Sequence, residues 1–546
     1  MKTIKSAWIP GPRSAGVSGD PDELGLISLI AIAAGGMIGS GWLFGAAHAA
    51  SIAGPWAWVS WLIGGTLMIA LGLVMVELGR HRPENGGLVF WPSQSSGPLV
   101  TIVVAAALWV FYALNPASEA AAVVQALDDK SLYHYSSSHA GPTLAGLLLA
   151  GALMIPIVGA TMLGFRLIRT STVWLTAFKI LIPVMVAVLL LASGFSSHNT
   201  TLHPRQPGHS AVSDVIRALT GGGVIYAYIG FQGPLDFAGR VKSDGRFTEA
   251  ARLKIAVIGT LGAVILLYTA LQVGFLGHVL DPESPYLKFA EGLGITGLLL
   301  QIDSFVSPVG AGVLFATLLS EEVEAMSRGR LIDDRLSAVR RLWRGGPEAC
   351  VWILVLNLCL GWSELALFGG DWSTMVTASS ILTLFVYAMP AVSLTAFAKY
   401  YNDHPDQRQP ERFRIGRGIW TFVAWFGFVG VTEVLYWAGW SVSWRAAVLL
   451  TCAALIMLLL PVLSGRVERF QLYKASNPWS QREAVPGLVI FVLFLTGLLV
   501  LSRLGMDSHP VLHEPWGSIL AALVGTAALF SLRHFSVWYQ EINPPR

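Results

Sequence analysis

Two glycine-rich stretches interrupt apolar segments that are long enough to cross a lipid bilayer. The first runs from Gly35 to Gly41 and the second from Tyr226 to Gly233. Backbone that leaves the helix at membrane depth loses hydrogen bonds that lipid cannot replace, so it persists only where protein buries it or where it lines a cavity. Breaks in corresponding places of two halves of a chain are typical of transporter binding sites.

The composition is that of an integral membrane protein. Of 546 residues, 54% are hydrophobic and 13% are charged, whereas a soluble domain carries about 25% charged residues. A net charge of +3 is too small to indicate a nucleic-acid partner. The three cysteines lie in apolar segments, and neither they nor the histidines have the spacing of metal ligands. We therefore expect no metal and no cofactor.

Apolar runs of about 20 residues, the length that spans a bilayer, occur about fourteen times, and we number them as spans one to fourteen. They are Leu24–His48, Trp56–Leu78, Val100–Leu127, Leu144–Leu163, Val173–Leu191, Val212–Phe237, Ile255–Gly277, Leu298–Leu319, Val351–Phe368, Met375–Tyr400, Ile419–Trp437, Ala446–Leu463, Val485–Leu501 and Trp516–Leu532. We interpret Phe247–Lys254 as a short interfacial helix, or a plain loop, before span seven.

The spans divide the chain into a core and an accessory region. We predict an N-terminal segment, a core of ten spans, a charged loop, four accessory spans and a tail at residues 1–23, 24–400, 401–418, 419–532 and 533–546. Arginine and lysine are concentrated in alternate loops, for example Arg240 to Lys254 and Arg408 to Arg417. This alternation follows the positive-inside rule and predicts that both termini are cytoplasmic.

The first break has the properties of an anion site. Amide groups freed at the start of a new helix point toward a ligand, and the helix dipole favours negative charge there. A carboxylate held by the stretch Met37, Ile38, Gly39, Ser40 and Gly41 is the natural guest. The alternative is close packing of helices through small residues.

The second break offers the complementary groups. Carbonyls freed near Ile229 and Gly230 could accept hydrogen bonds from an ammonium group, and Tyr226, Tyr228 and Phe231 offer aromatic surface. The alternative is a kink at Pro234 without a ligand. Because the breaks lie in spans one and six, their spacing is that of a five-plus-five inverted repeat.

Four motifs resemble those of the amino acid–polyamine–organocation (APC) superfamily of transporters. They are Ile38 to Gly45 in span one, Glu77-Leu78-Gly79 with Pro83 to Gly87, Tyr226 to Phe231 in span six, and Ala325 to Gly329 at the end of span eight. The form Gly-Ser-Gly-Trp-Leu-Phe-Gly is similar to the branch that contains aspartate–proton symporters. The resemblance covers spans one to ten, and the last four spans only by their number.

This resemblance implies an all-α membrane protein with the leucine-transporter fold, about four additional C-terminal helices, and alternating access around a site in mid-membrane. It implies that the first break holds a substrate carboxylate, at Ser40 and Gly41, and that the second holds the amino group, at Tyr226 and Ile229. The family often carries an acidic residue where this chain has Gln232, which argues against a cationic substrate.

Three ionisable or polar side chains inside the spans are further candidates. Lys179 in span five is costly in lipid and therefore a functional candidate. The resemblance implies that such a lysine couples proton movement, and the alternatives are a structural bond to carbonyls of span one or snorkelling. Asn115 and Glu119 share a face of span three. Glu119 could bind the substrate ammonium, carry a proton, or form an internal hydrogen bond.

We interpret the remaining acids as solvated or paired. They are Asp236, Asp303, Glu364 and Glu433. The cluster Glu321, Glu322 and Glu324 could pair with Arg80 or Arg240 as an inner gate, or could form a charged rim.

The sequence thus predicts a secondary active transporter of the plasma membrane that imports an amino acid by proton symport. An exchanger of the same fold without obligatory proton coupling is the alternative. No cluster of nucleophile, base or metal ligands indicates an enzyme, and no rings of polar residues indicate a channel. The expected partners are an amino acid, protons and the lipid bilayer. An acidic and a small neutral amino acid fit equally well.

Overall fold

The computed structural model of the chain is almost entirely helical. It describes residues 23–127, 129–134, 141–163, 165–193, 196–199, 210–241, 248–278, 295–328, 331–332, 348–404, 418–463, 478–506 and 510–545. Helices are the expected form in lipid because they satisfy their backbone groups within one segment. The strands β1 (Tyr133–His134) and β2 (Gly141–Pro142) pair antiparallel between spans three and four.

The first five spans begin with a broken helix. Their helices are Leu26–Met37 and Gly41–Ala53 in span one, Ala57–His81 in span two, Gly97–Ala126 in span three, Leu144–Gly159 in span four and Phe165–Ala192 in span five. The short helix Gly87–Ser95 lies between spans two and three.

The next five spans also begin with a broken helix, that of span six. Their helices are Ala211–Gly221, Val224–Tyr228 and Gly233–Asp236 in span six, Glu249–Lys254 and Thr260–Leu276 in span seven, Ile295–Arg328 in span eight, Glu348–Phe368 in span nine and Trp372–Asp403 in span ten. A π-helical turn, Ile255–Gly259, joins the two helices of span seven. The expected interfacial helix is therefore not a separate element but the first turns of span seven.

The last four spans are the helices Ile419–Trp437, Trp440–Leu463, Pro478–Met506 and Trp516–Ile542. Span fourteen begins at the predicted residue and continues ten residues beyond its predicted end. These helices pack directly against spans two, three and ten. One contact is the hydrogen bond between the hydroxyls of Ser96 and Ser536, at 2.8 Å.

Spans three and ten lie at the centre of the molecule, and almost all of their residues are buried. Span three packs against spans eight and ten, and its Ala105, Ala106 and Ala107 permit a close approach of neighbouring backbones.

Eleven described helical stretches are long and apolar enough to cross a membrane. Two shorter apolar helices, Leu26–Met37 and Leu354–Phe368, and the broken span six account for the rest of the fourteen predicted spans. The protein is a multi-pass membrane protein with the predicted leucine-transporter fold, extended by additional helices.

Candidate functional site

The two helix breaks touch each other at Gly36 and Gly230. A β-carbon on Gly36 would lie 2.8 Å from the α-carbon of Gly230, and one on Gly230 would lie 2.4 Å from the carbonyl carbon of Gly36. Gly230 also has a φ of 123°, which L side chains rarely adopt. Only glycine fits at this crossing, so the breaks of spans one and six form one continuous region.

Side chains of spans three and seven satisfy two backbone groups freed by the first break, and a side chain of span ten bonds to the hydroxyl of Ser40. Span one leaves the helix at Ile38 and resumes at Gly41. The amide of Ser40 donates to Glu119 Oε2 at 2.9 Å, and the carbonyl of Met37 accepts from the Tyr268 hydroxyl at 2.7 Å. The indole of Trp372 donates to Ser40 Oγ at 2.8 Å. Such pairing is what keeps an irregular backbone stable at membrane depth.

Glu119 is the centre of a buried polar cluster. Besides the Ser40 amide, its carboxylate accepts the hydroxyl of Tyr226 at 2.8 Å. Asn115 Nδ2 donates to the same hydroxyl at 3.0 Å, and Ser118 Oγ lies 2.7 Å from it. The structure thus has the internal hydrogen bond that was one of the three possibilities for Glu119. It also brings together Ser40, Glu119 and Tyr226, three of the predicted binding residues.

Gly39 and Gly41 are positions of close approach in the first break. A β-carbon on Gly39 would lie 2.6 Å from Glu119 Oε1, and one on Gly41 would lie 2.8 Å from the β-carbon of Ala227. Span three therefore reaches the break on one side and span six on the other.

Lys179 binds the end of the first half of span one. Its side chain is buried, and Nζ donates to the carbonyl of Gly35 at 2.8 Å. One turn earlier in span five, the Thr176 hydroxyl donates to the carbonyl of Ala31 at 3.1 Å. The C-terminal end of a helix carries partial negative charge, so this is a favourable position for an ammonium group. The contact is the structural bond that was an alternative for Lys179, and it does not conflict with proton transfer.

The aromatic residues of the second break face neighbouring spans. Tyr228 donates to the carbonyl of Trp61 at 2.9 Å, and its ring packs against Trp61 and Tyr268. Phe231 packs against Tyr387 of span ten, with ring centroids 5.2 Å apart. Of the predicted aromatic residues, Tyr226 is therefore the one that is connected to the first break, through its hydrogen bond to Glu119.

Trp372 covers one end of the site. Its ring lies 5.3 Å from Phe44, 5.1 Å from His48 and 6.3 Å from Tyr226, centroid to centroid. Sequence reasoning did not select Trp372, because a tryptophan at the start of a span has the ordinary pattern of an interfacial anchor. Tyr268 was missed for a similar reason, since one tyrosine in an apolar helix carries no spacing signal.

At the opposite end of span one, an ion pair joins spans six and eight. Arg240 Nη2 pairs with Glu321, and both side chains are largely buried. The amide of Leu24 donates to the carbonyl of Arg240 at 2.9 Å, which ties the start of span one to the same point. This pairing with Arg240 is one of the possibilities that the sequence left open for the acidic cluster.

Three acids that the sequence suggested as solvated or paired are fully buried. Asp236 is paired, because it accepts the Tyr112 hydroxyl at 2.6 Å. Asp303 accepts the Ser307 hydroxyl, and Glu364 is buried in span nine. The solvated interpretation is wrong for these residues, because the side chains of all three are buried inside the helix bundle.

Comparisons with known proteins agree with the motifs. The profile of the family described as amino acid permease matches residues 24–440. Among curated relatives, the glutamate/serine transporter AimA of Bacillus subtilis is 28% identical over 526 residues, covering 92% of each chain. The aspartate-proton symporter of the same organism is 26% identical, covering 93% of this chain and 95% of that one.

Solved structures give a more distant likeness. The nucleobase-cation-symport-1 family transporter Mhp1 is 14% identical with a TM-score of 0.43, covering 84% of this chain and 96% of that chain. A manganese transporter of Eremococcus coleocola is 13% identical with a TM-score of 0.44, covering 93% and 95%. The family match extends over the whole ten-span core, including both helix breaks, and the chain therefore belongs to the amino acid permease family of the APC superfamily.

Proposed function

We propose that the protein is a proton-coupled symporter that imports an amino acid by alternating access. The observation that carries this proposal is the placement of opposite charges at the two ends of one helix break. Lys179 binds the carbonyl end of the first half of span one, and Glu119 binds the amide end of the second half. Each charge has the sign that its helix end favours, so a change of either charge alters the stability of the break.

The Ser40 amide is the proposed site for the carboxylate of the substrate. A carboxylate from the protein itself, that of Glu119, already bonds to this amide at 2.9 Å, which supports the fit of this chemical group. The substrate carboxylate and an ionised Glu119 would repel each other at close range. Substrate therefore enters when Glu119 has taken up a proton and released the amide.

Lys179 is the proposed coupling residue. Its bond to the Gly35 carbonyl holds the first half of span one against span five. Loss of the ammonium charge weakens this charge-assisted bond. Protonation of Lys179 thus favours one arrangement of span one over another. A coupling ion in a two-state transporter must shift the conformational equilibrium in this way.

The proposed location is the plasma membrane, with both termini in the cytoplasm, as the loop charges predict. In this orientation the ion pair of Arg240 and Glu321 is the inner gate, and Trp372, which packs against Phe44, covers the outer side. The names of the relatives, a glutamate/serine transporter and an aspartate-proton symporter, support an acidic or small neutral amino acid as substrate.

Uptake by purified protein in proteoliposomes tests the proposal. Radiolabelled glutamate, aspartate and serine are offered with an inward proton gradient, with an inward sodium gradient, or with neither. We expect the proton gradient alone to drive accumulation of at least one of them. Accumulation that follows sodium, or exchange that proceeds without net accumulation under any gradient, contradicts the proposal.

A further inference from the structure

A second buried carboxyl lies on the side of Lys179 that faces span eight. Asp303 is fully buried, although its neighbours Ile302 and Phe305 on the same helix are exposed on the outer surface of the bundle. Its two oxygens lie 2.9 and 3.0 Å from the hydroxyl of Ser307. A carboxyl that faces the bundle interior in a membrane helix is a candidate for function rather than for solubility.

Asp303 lies on the face of span eight that contacts Lys179. Asp303, Ser307 and Gly310 follow at intervals of four and three residues, so they lie on one face of span eight. Gly310 lies against Lys179, because a β-carbon built on it would be 3.5 Å from Nζ. Ser307 is therefore situated between the carboxyl of Asp303 and the amine of Lys179 along the helix. The charges of Asp303 and Lys179 act on each other.

Groups of two other spans also act on this pair. Glu119 of span three is close enough to Lys179 for their charges to interact, and Trp42 of span one is close enough to Asp303 to influence its carboxyl. Lys179 is thus a single amine between two buried carboxyls. If all three groups were ionised, the cluster would carry one uncompensated negative charge. Burial of such a charge costs roughly several kcal/mol, even after the surrounding protein relaxes.

Charge balance therefore requires one additional proton on the cluster. Glu119 accepts hydrogen bonds from the Ser40 amide and the Tyr226 hydroxyl, and both stabilise its ionised form. Asp303 accepts from the hydroxyl of Ser307, which can donate its single proton to only one carboxyl oxygen at a time. The donors to Glu119 belong to the two helix breaks, whereas Ser307 belongs to the same helix as Asp303. Before substrate binds, a proton on Asp303 therefore leaves the bonds of the breaks intact, and Asp303 is the better holder of the proton.

We propose that Asp303 is a proton-binding site that supplies Lys179. In the transfer step the O–H bond of the Asp303 carboxyl breaks, and an N–H bond forms on the neutral amine of Lys179. The products are a carboxylate and an ammonium group, with the hydroxyl of Ser307 or a water molecule carrying the proton between them. The transfer leaves the net charge of the cluster unchanged, and Asp303 then takes up the additional proton that charge balance requires. This inference rests on the proposed proton coupling, and it adds the group from which the coupling lysine receives its proton.

The test uses Asp303→Asn and the matched control Glu364→Gln in proteoliposomes. Glu364 is also a fully buried carboxyl of the core, but it lies in span nine and has no part in the cluster. Two readouts are needed, namely accumulation driven by a proton gradient and counterflow of labelled against unlabelled substrate. Counterflow requires binding and the conformational change but no net proton movement.

We expect Asp303→Asn to lose accumulation at least tenfold while keeping counterflow, and Glu364→Gln to keep both. Asp303→Glu, which restores a carboxyl, is expected to recover part of the accumulation. Undiminished accumulation by Asp303→Asn overturns the inference, and so does a parallel loss of counterflow and accumulation, because that result marks a structural role. If the wild-type protein itself ignores the proton gradient, the proposed function fails instead.

Discussion

Lys179 and Glu119 bind opposite ends of the same break in span one. The lysine Nζ lies 2.8 Å from the Gly35 carbonyl, and the glutamate Oε2 lies 2.9 Å from the Ser40 amide. Between them the chain leaves the helix for only three residues, Ile38 to Ser40. Each of the two helix ends is thus matched by a side chain whose charge is opposite to its partial charge, and the two side chains connect spans five and three to span one.

Glu119→Gln tests whether a protonated Glu119 is the form that admits substrate. In the wild-type protein, substrate binding is expected to tighten as the pH falls, because protonation ends the competition for the Ser40 amide. Glutamine cannot ionise, so the variant is expected to bind with little dependence on pH. Calorimetry or thermal stabilisation by substrate across a pH series measures this, and a variant that keeps the wild-type pH dependence contradicts the role of Glu119.

Gly230→Ala is expected to destabilise the protein and abolish transport. The new methyl group would approach the carbonyl carbon of Gly36 to 2.4 Å, and the φ of 123° adds strain of about 1–3 kcal/mol. Thermal unfolding of the purified protein measures the effect.

Gly262→Ala in span seven is the matched control for this substitution. A β-carbon at Gly262 meets nothing within 4 Å, so this variant is expected to be neutral or to be stabilised by up to about 1 kcal/mol. Equal melting temperatures for the two variants would show that the crossing of the breaks is not closely packed.

Trp372→Phe is expected to weaken substrate binding with little effect on folding. Phenylalanine keeps an aromatic ring beside Phe44 and Tyr226 but removes the donor to Ser40 Oγ. A hydrogen bond of this kind contributes about 0.5–1.5 kcal/mol, so the dissociation constant is expected to rise about two- to tenfold. Unchanged affinity would mean that the indole does not position Ser40.

Arg240→Ala is expected to open the inner side of the site. Its pair with Glu321 is largely buried. Removal of one partner of a buried pair is expected to destabilise the closed state by roughly 3–5 kcal/mol. The accessibility of a cysteine introduced near Leu24 to a membrane-impermeant reagent, applied to inside-out vesicles, measures the opening.

The charge-exchanged double variant Arg240→Glu with Glu321→Arg is the control for this effect. We expect it to restore part of the protection that Arg240→Ala removes. Equal labelling of the wild-type protein and Arg240→Ala would exclude this pair as a gate.

The helix breaks and the buried Lys179 could be predicted from the sequence, because each is a local anomaly. Glycine clusters inside apolar runs are visible in a window of a few residues, and so is Lys179, an isolated lysine in a membrane segment. Fourteen apolar runs were likewise sufficient to place the spans, and every one of them contains a helix.

The partners of these groups could not be predicted, because they lie far away in the chain. Ser40 and Trp372 are 332 residues apart, and Met37 and Tyr268 are 231 apart. Asp303 was misjudged as a residue near a span end, since span eight begins at Ile295 rather than Leu298 and carries the carboxyl two turns into the helix. Local pattern gives no information on which face of a helix meets which neighbour.

The central claim, that Lys179 couples proton entry to transport, is tested most directly by Lys179→Ala. For one proton per substrate, a gradient of one pH unit supports about tenfold accumulation at equilibrium. The account predicts that the variant retains counterflow but accumulates no substrate above the outside concentration, whereas Lys399→Ala, which changes a half-exposed surface pair with Asp403, accumulates like the wild-type protein. Accumulation by Lys179→Ala to the wild-type level would contradict the account.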